Sequence, residues 1–273
     1  MVPKKTHYTN KFYNYAQIFQ KTVLLVLFLI VMIKNKEWFV SWFDTNYYHT
    51  LYKHRDDTEA HNFVKNLVSF LKLDKKDTLL DLACGKGRHS IYLNSLGFNV
   101  VGADLSINSI RFAKKAENDT LRFFVHDMRN PFESKFNAIL NLFTSFGFFE
   151  NDKEDIAILQ NIKNGLLPEG KAIIDFMNTK KVIDNLVPQE TQLIDGITFN
   201  ISRYIEKGFI VKEINFDADG EHHRYFEKVK CLDLEKINTY IRLVGFKIKH
   251  IFGDYNLEVF NEETSDRLIL VLE

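Results

Sequence analysis

The chain carries short apolar runs that alternate with amphipathic segments over much of its length. Apolar residues recur at three- and four-residue spacing between Asp56 and Leu73, which predicts a helix with an acidic start. Further on, apolar runs predict strands at 78–83, 98–103, 121–126, 136–142 and 170–177, and amphipathic runs predict helices at 88–96, 106–116 and 152–165. Strands interleaved with helices indicate an α/β fold built on a parallel sheet.

The pattern changes between residues 178 and 232, where apolar and polar residues alternate only in part. Three such runs are Ile197–Tyr204, Phe209–Phe216 and His222–Cys231. Lys207-Gly208 and Asp219-Gly220 separate these runs, and Asp-Gly is a strong hairpin signal. We therefore predict an antiparallel β insertion over 178–232. A helix at 233–244 and strands at 246–252 and 266–272 are predicted to follow, so that 233–273 completes the sheet.

The first 36 residues differ from the rest, and residues 37–54 are aromatic and irregular in pattern. Thr22–Ile33 reads TVLLVLFLIVMI and follows several lysines without any acidic residue. A spanning helix needs about 20 apolar residues, and no small-residue cleavage site follows. Three interpretations stay open: an interfacial or signal-like anchor through 22–33, a helix packed on the domain, and upstream sequence before a natural start at Met32, which we favour. Only the first interpretation places the protein at a membrane.

Charge and cysteine content argue against several classes of function. Lys+Arg and Asp+Glu are equal at 36 each, so the chain lacks the basic surplus typical of proteins that bind nucleic acid. Cys84 and Cys231 are too few for a disulfide framework or a zinc set, which favours a reducing cytoplasm. His222 and His223 are adjacent on a predicted strand and face opposite sides, so we predict no metal site there.

Three predicted strands each end in a carboxylate. Residues 79–90 read LLDLACGKGRHS, a strand containing Asp81, a glycine turn and the start of a helix. Asp104 ends the next strand, and Asp127 follows the third. Gly85 and Gly87 allow the backbone to approach a ligand closely. Because carboxyl ends of parallel strands share one sheet edge, we expect these groups to lie together.

This arrangement suits a nucleoside ligand. The carboxylate of Asp104 can accept hydrogen bonds from both hydroxyls of a ribose, since it has two acceptor oxygens. Asp127 can accept from an adenine amino group. Ligands of open α/β sheets bind at the carboxyl ends of the strands, where the strand order reverses.

These motifs resemble those of class I S-adenosylmethionine-dependent methyltransferases of the small-molecule type. The family's pattern (D/E)-x-(G/A)-x-G-x-G matches Asp81-Leu82-Ala83-Cys84-Gly85-Lys86-Gly87. The resemblance covers roughly residues 45–180 and, less distinctly, 233–273. It implies a Rossmann-like, doubly wound, mostly parallel seven-stranded sheet with an antiparallel last strand. It also implies S-adenosylmethionine as cofactor, with residues 37–177 as the core that binds it.

The resemblance implies a set of cofactor contacts at the strand ends and in the segment before the first helix. They are Asp81, Ala83, Cys84, Gly85, Gly87, Asp104, Leu105, Asp127, Met128, Asn141, Tyr52 and Arg55. Asn141 ends the strand that faces the transferable methyl group in this family. Cys84 is interpreted as a small space-filling residue, and His89 as a packing residue rather than a base, so no catalytic residue is assigned.

Methyl transfer from a sulfonium is an in-line displacement, in which the protein mainly aligns the reacting atoms. The insertion lies where such enzymes build lids, so we expect it to select a small organic acceptor. Residues 141–144 read NLFT and lack both prolines of the DNA-base aminomethylase motif. Two alternatives stay open: a non-catalytic binding module, and a nicotinamide oxidoreductase, which would require glycine where Ser90 stands.

Overall fold

The structure is a computed structural model that describes residues 37–53 and 57–273. The predicted contact Arg55 and the apolar run 22–33 lie outside the described residues. The helices are α1 (Trp38–Trp42), α2 (Asn46–Leu51), α3 (Asp57–Leu71), α4 (Arg88–Ser95), α5 (Ile107–Ala113), α6 (Asp152–Asn164), α7 (Thr179–Asp184) and α8 (Leu234–Leu243). Within the part of the chain that the structure describes, no helix is long and apolar enough to span a membrane.

Two sheets organise the chain. The strands are β1 (Thr78–Leu82), β2 (Asn99–Asp104), β3 (Leu121–Val125), β4 (Phe136–Asn141), β5 (Leu166–Met177), β6 (Gln189–Ile194), β7 (Ile197–Glu206), β8 (Phe209–Ala218), β9 (Glu221–Lys230), β10 (Ile248–Phe252) and β11 (Arg267–Leu272). The seven-stranded sheet has the order β10-β11-β5-β4-β1-β2-β3, and the four-stranded sheet has the order β6-β7-β8-β9.

The larger sheet is parallel except for its last strand. β1 pairs in parallel with both β2 and β4, while β11 is antiparallel to β5 and to β10. Leu79 and Leu80 are both buried but belong to different apolar cores, because successive strand residues face opposite sides. Helices α3, α4 and α5 cover one face, and α6 and α8 cover the other. The predicted doubly wound sheet with an antiparallel last strand is confirmed.

The smaller sheet is antiparallel and lies within the predicted insertion. Its three hairpin turns are Asp195-Gly196, Lys207-Gly208 and Asp219-Gly220. Both residues of each turn have positive φ, between 50° and 80°, as a type I′ turn requires. Neither α7 nor β6 was predicted from the sequence. The missed strand is an edge strand whose residues alternate between exposed and half-buried, so it lacks a strong apolar pattern.

Residues 38–53, which we call the strap, were predicted to be irregular but form α1 and α2. The Thr45 side chain caps α2 by accepting a hydrogen bond from the Tyr48 N–H at 3.1 Å. Toward the large sheet, Phe39 packs on Phe149, while on the other side Trp42 joins the apolar core of the insertion. The prediction of irregular structure was wrong because these aromatic side chains find apolar surface on two elements distant in sequence.

A buried ion pair joins the end of the insertion to α6, which packs on the large sheet. The Nζ of Lys230 lies 2.5 Å from Asp155 Oδ2 and 2.9 Å from Asp152 Oδ1. Asp155 is fully buried, and burial raises the pKa of its carboxyl group to about 6 although Lys230 lowers it. The Lys230 backbone N–H also donates to the carbonyl of Gly147 at 2.8 Å.

We expect Lys230→Met to lower the free energy of unfolding by about 3–5 kcal/mol, because it leaves Asp155 buried without its cation. The matched control is Lys236→Met. Lys236 is half-exposed and pairs only with the accessible Asp152 at 2.8 Å, so its loss should cost about 1 kcal/mol or less. Urea denaturation of the two variants measures both values. Equal losses would show that burial of the pair is not what matters.

Candidate functional site

The glycine turn after β1 is fixed by backbone hydrogen bonds to β2. The N–H groups of Ala83 and Cys84 both donate to the Ala103 carbonyl, at 2.7 and 3.1 Å. Gly85 and Gly87 have φ of +56° and +83°, a conformation that glycine adopts without the steric cost of a Cβ. The turn therefore ends the strand abruptly and allows α4 to begin at Arg88.

Asp104 holds this turn from the end of β2. Its Oδ2 accepts the Gly85 N–H at 2.8 Å, and its Oδ1 accepts the Ser106 N–H at 2.8 Å. Burial raises the pKa of the Asp104 carboxyl group, and the backbone hydrogen bonds oppose that rise. The following Leu105 has 36% of its surface exposed, so it presents an apolar side chain beside the carboxylate.

Asp81 lies beneath the turn, with only 1% of its surface exposed. Its Oδ2 accepts the hydroxyl of Ser90 at 2.5 Å, which ties the end of β1 to the first turn of α4. Burial raises the pKa of Asp81 to about 6, and the nearby charge of Asp104 adds to the rise. From the sequence, Ser90 was considered only because it stands where a nicotinamide oxidoreductase would require glycine. Its contact with Asp81 was not predicted.

Asp127 lies two residues beyond β3, at the same edge of the sheet. Arg129 binds both oxygens of its carboxylate, with Nε at 3.0 Å from each and Nη2 at 2.6 Å from Oδ2. Burial alone would raise the pKa of Asp127, but the hydrogen bonds and charge of Arg129 lower it overall. Met128 is half-buried against the core under α6. Arg129 is a partner that the sequence analysis did not anticipate.

Asn141 occupies the point at which the strand order reverses. It is 1% exposed and pairs with Leu82 across β4 and β1, where its Nδ2 donates to the Leu82 carbonyl at 3.1 Å. Its Oδ1 is buried and has no hydrogen-bond partner among the described residues. A buried acceptor without a partner is costly, and at the mouth of this crevice it suits a donor on a bound molecule.

The loop after β4 is held in a strained conformation by a buried carboxylate. Phe143 and Thr144 have φ of 59° and 60°, which is unusual for residues with side chains. Asp175, which is fully buried in β5, accepts the Phe143 N–H at 2.8 Å through its side chain and the Thr144 N–H at 2.9 Å through its carbonyl. Arg267 donates to Asp175 Oδ1 at 2.8 Å and to Thr144 Oγ1 at 2.9 Å. Tyr255 donates to Asp175 Oδ2 at 3.2 Å.

The strap crosses the carboxyl ends of these strands. Asp44 accepts the Ser106 hydroxyl at 2.5 Å and the Asn108 N–H at 3.1 Å, beside Asp104. His49 follows in α2, where burial, then the charge of Lys86 in the glycine turn, lowers the pKa of its imidazole to about 4. At the start of the strap, Phe39 packs on Phe149 in the segment after β4. The strap therefore contacts both the start of α5 beside Asp104 and the segment that follows β4.

The structure brings together most of the residues that the sequence analysis selected. Those at the strand ends of β1 to β4 are Asp81, Ala83, Gly85, Gly87, Asp104, Leu105, Asp127, Met128 and Asn141. The Cys84 thiol belongs to the buried core beneath the turn, where burial raises its pKa well above the usual range. The Tyr52 hydroxyl contacts Glu227 of the insertion at 2.8 Å. The binding roles of these residues stay predictions.

Comparison with known proteins identifies a family and several relatives. The family model described as tellurite resistance protein TehB matches residues 41–225. The chain is 31% identical over 228 residues to the glycine/sarcosine N-methyltransferase of Halorhodospira halochloris, covering 80% of this chain and 82% of that protein. It is 27% identical over 185 residues to the dTDP-3-amino-3,4,6-trideoxy-alpha-D-glucopyranose N,N-dimethyltransferase of Streptomyces venezuelae, covering 64% of this chain and 78% of that one.

A solved structure shares the fold. The S-adenosylmethionine-dependent methyltransferase from Clostridium acetobutylicum superposes with a TM-score of 0.70 at 18% identity, covering 83% of this chain and 95% of that chain. An identity this low speaks for a common fold alone.

Alanine at the two turn glycines should have different consequences. A Cβ on Gly85 meets no atom within 4 Å, so Gly85→Ala should fold, at a cost of about 1–2 kcal/mol for the positive φ. It should nevertheless weaken binding of S-adenosylhomocysteine about tenfold or more, because the methyl group occupies the space beside the turn. A Cβ on Gly87 lies 2.7 Å from the Phe123 ring, so Gly87→Ala should destabilise the protein more. Calorimetry and urea denaturation measure both, and unchanged affinity in Gly85→Ala would contradict the placement.

Asp81→Asn should change how stability depends on pH. With its pKa raised from 3.8 to about 6, Asp81 contributes stability that is present below about pH 4 and lost as pH rises through 6. Asparagine keeps the acceptor for Ser90 and cannot ionise. The stability of the variant relative to the natural protein should therefore rise between pH 4 and 7, by up to about 3 kcal/mol. Parallel unfolding curves across this range would exclude a raised pKa.

Proposed function

This chain belongs to the TehB family and is a class I S-adenosylmethionine-dependent methyltransferase, and from that premise we propose that it methylates the nitrogen of a small molecule. The membership confirms the resemblance seen in the sequence and the cofactor that it implied. This membership leaves no need for the two alternatives that the sequence had left open, a non-catalytic binding module and a nicotinamide oxidoreductase.

The site observation that carries the proposal is the hydrogen bond from the Gly85 N–H to Asp104 at 2.8 Å, beside the switch point of the sheet. It fixes an open glycine turn and a carboxylate side by side, as a ribose with its attached chain would require. The open space at Gly85 and the unpaired Oδ1 of Asn141 fit the same ligand. We propose that Asp104 binds the ribose hydroxyls, that Leu105 and Asp127-Met128 hold the adenine, and that the β4 end faces the methyl group.

A nitrogen acceptor is supported by two relatives. The Halorhodospira and Streptomyces enzymes are named for methylation of nitrogen, on glycine or sarcosine and on an amino sugar. S-adenosylmethionine supplies an electrophilic methyl group on a positively charged sulfur. The lone pair of the acceptor nitrogen forms the new C–N bond as the C–S bond breaks. The electron pair of the C–S bond stays on sulfur. An acceptor present as an ammonium ion must first release one proton to water, because its nitrogen otherwise has no lone pair.

The main contribution of this chain's residues is to position the reacting molecules and to exclude water from the site. Asp175 and Arg267 fix the loop after β4, and the strap covers the strand ends with aromatic side chains. Placement of this kind can account for much of the acceleration of a displacement reaction. The cytoplasm stays the proposed compartment, which is supported by the free thiols of Cys84 and Cys231.

The direct test incubates the full chain with S-adenosylmethionine and a panel of acceptors, and measures release of S-adenosylhomocysteine. The panel contains primary and secondary amines, free amino acids and their amides, catechols, and tellurite. Methylation of amines supports the proposal, and mass spectrometry of the product locates the new methyl group. Turnover of only catechols or only tellurite would overturn it.

Asp104→Ala should weaken binding of S-adenosylmethionine about 10- to 100-fold, because the carboxylate is proposed to bind the ribose and also holds Gly85. Asp119→Ala is the control, since Asp119 is an exposed residue two positions before β3, at the opposite end of that strand from Asp127. Calorimetry with both variants measures the loss. Full affinity in Asp104→Ala would remove the central contact of the proposed site.

A further inference from the structure

The face of the insertion sheet that meets the strap carries a row of charges. Glu190, Arg203, Lys212 and Glu227 stand one on each of the four strands, and we call them the charged row. They share a face with the apolar residues Ile201, Ile214 and Tyr225, each two positions away along a strand. The row therefore interrupts a surface that is otherwise apolar.

Lys212 and Glu227 of the charged row are well shielded from water, whereas Arg203 and Glu190 are only partly shielded. The side chains of Lys212 and Glu227 are 14% and 17% exposed, and those of Arg203 and Glu190 are 22% and 35% exposed. Arg203 Nη2 lies 2.6 Å from Glu190 Oε2, and Lys212 Nζ lies 3.9 Å from Glu227 Oε2. Removing charges from water is costly, and apolar residues in such places often stabilise a protein as well or better. Stability alone therefore does not account for the row.

The strap supplies polar contacts to the same place. The Tyr52 hydroxyl lies 2.8 Å from both oxygens of Glu227 and 2.5 Å from Lys212 Nζ. The Trp42 Nε1–H donates to Glu227 Oε1 at 2.7 Å. Two aromatic side chains and two opposite charges therefore meet within hydrogen-bond distance.

The charged row is connected to the large sheet through β9 and through the strap. Glu227 is three residues before Lys230, whose backbone N–H bonds to Gly147 in the segment that follows β4. At about 3.3 Å per strand residue, Glu227 is about 10 Å along the strand from that contact. Within the strap, Asp44 binds Ser106 beside Asp104, and Tyr52 binds the row eight residues later in the chain. The strap and the Gly147 contact thus connect the row to the ends of β2 and β4.

We propose that the charged row binds the methyl acceptor, and that this acceptor is a small zwitterion carrying both an amine and a carboxylate. The inference rests on the proposed function and names its substrate class. The carboxylate of Glu227 matches the amine end and Lys212 matches the carboxylate end, while Arg203 and Glu190 pair with each other on the two neighbouring strands. When the acceptor binds, ion pairs with the acceptor replace ion pairs between side chains of the row. Few charged groups are therefore left without an oppositely charged partner.

The balance of charges in the row distinguishes this acceptor from others. Two carboxylates and two cations sum to zero, which suits a molecule without net charge. A nucleotide sugar carries a diphosphate, which calls for a surplus of cations. A simple amine or amino sugar offers no anion to Lys212, and would leave it without a matching group on the acceptor.

The test compares free amino acids with their amides as acceptors of the full chain. Glycine, sarcosine, β-alanine and γ-aminobutyrate are each paired with the amide that removes the carboxylate charge. We expect kcat/KM to be about tenfold or more higher for at least one acid than for its amide, chiefly through KM. Methylation of amines with amides equal to or better than acids would overturn this inference and leave the proposed function standing. If no amine is methylated at all, the proposed function fails, and this inference with it.

Variants separate recognition from folding. Lys212→Met should reduce the preference for acid over amide about tenfold, and Lys212→Arg should restore part of it. Lys228→Met is the matched control, because Lys228 lies one position from Glu227 on β9 and faces the opposite side. A role in stability alone would lower the melting temperature and leave the preference unchanged. Calorimetric titration of the protein with S-adenosylhomocysteine checks that the cofactor site is intact in each variant, and an unaltered preference in an intact Lys212→Met would refute the assignment.

Discussion

The carboxylate of Asp104 is the contact on which the rest of the site depends. By accepting N–H groups from Gly85 and Ser106, it fixes the turn after β1 against the residue that caps α5. Hydrogen bonds from backbone N–H groups to a carboxylate are stronger than hydrogen bonds between neutral groups. These bonds hold the turn open without filling it with a side chain. Asp81 supports the same turn from below through Ser90. The proposed cofactor site is therefore a backbone shape maintained by two buried acids.

The order of strands explains why side chains from distant parts of the sequence meet at this site. β1 lies between β2 and β4, so residues 81, 104 and 141 come from three neighbouring strands despite their separation in sequence. The strap closes the site from above because its aromatic side chains bury surface on both the large sheet and the insertion. Its Asp44 binds Ser106 and Asn108 next to Asp104, so the cover and the turn share one anchoring point.

Much of this arrangement could be predicted from the sequence, and the exceptions have physical reasons. Strands flanked by helices leave strong apolar runs, and Asp81, Gly85 and Asp104 follow a local pattern, so these were found. Asp175 and Arg267 are 92 residues apart, and no local pattern connects them. Strand β6 is polar because it is an edge strand, and α1 and α2 form only because distant elements provide apolar surface. Tyr52 was predicted as a cofactor contact and that role stays a prediction, while the partners of its hydroxyl lie in the insertion.

The insertion contributes no strand to the seven-stranded sheet. Residues proposed to hold the methyl donor come from β1 to β4, whereas those proposed to recognise the acceptor come from the strap and from β8 and β9. Mutations in one sheet can thus accumulate with little effect on the other. Such a division lets descendants of one ancestral enzyme diverge in what they modify while inheriting the same donor chemistry.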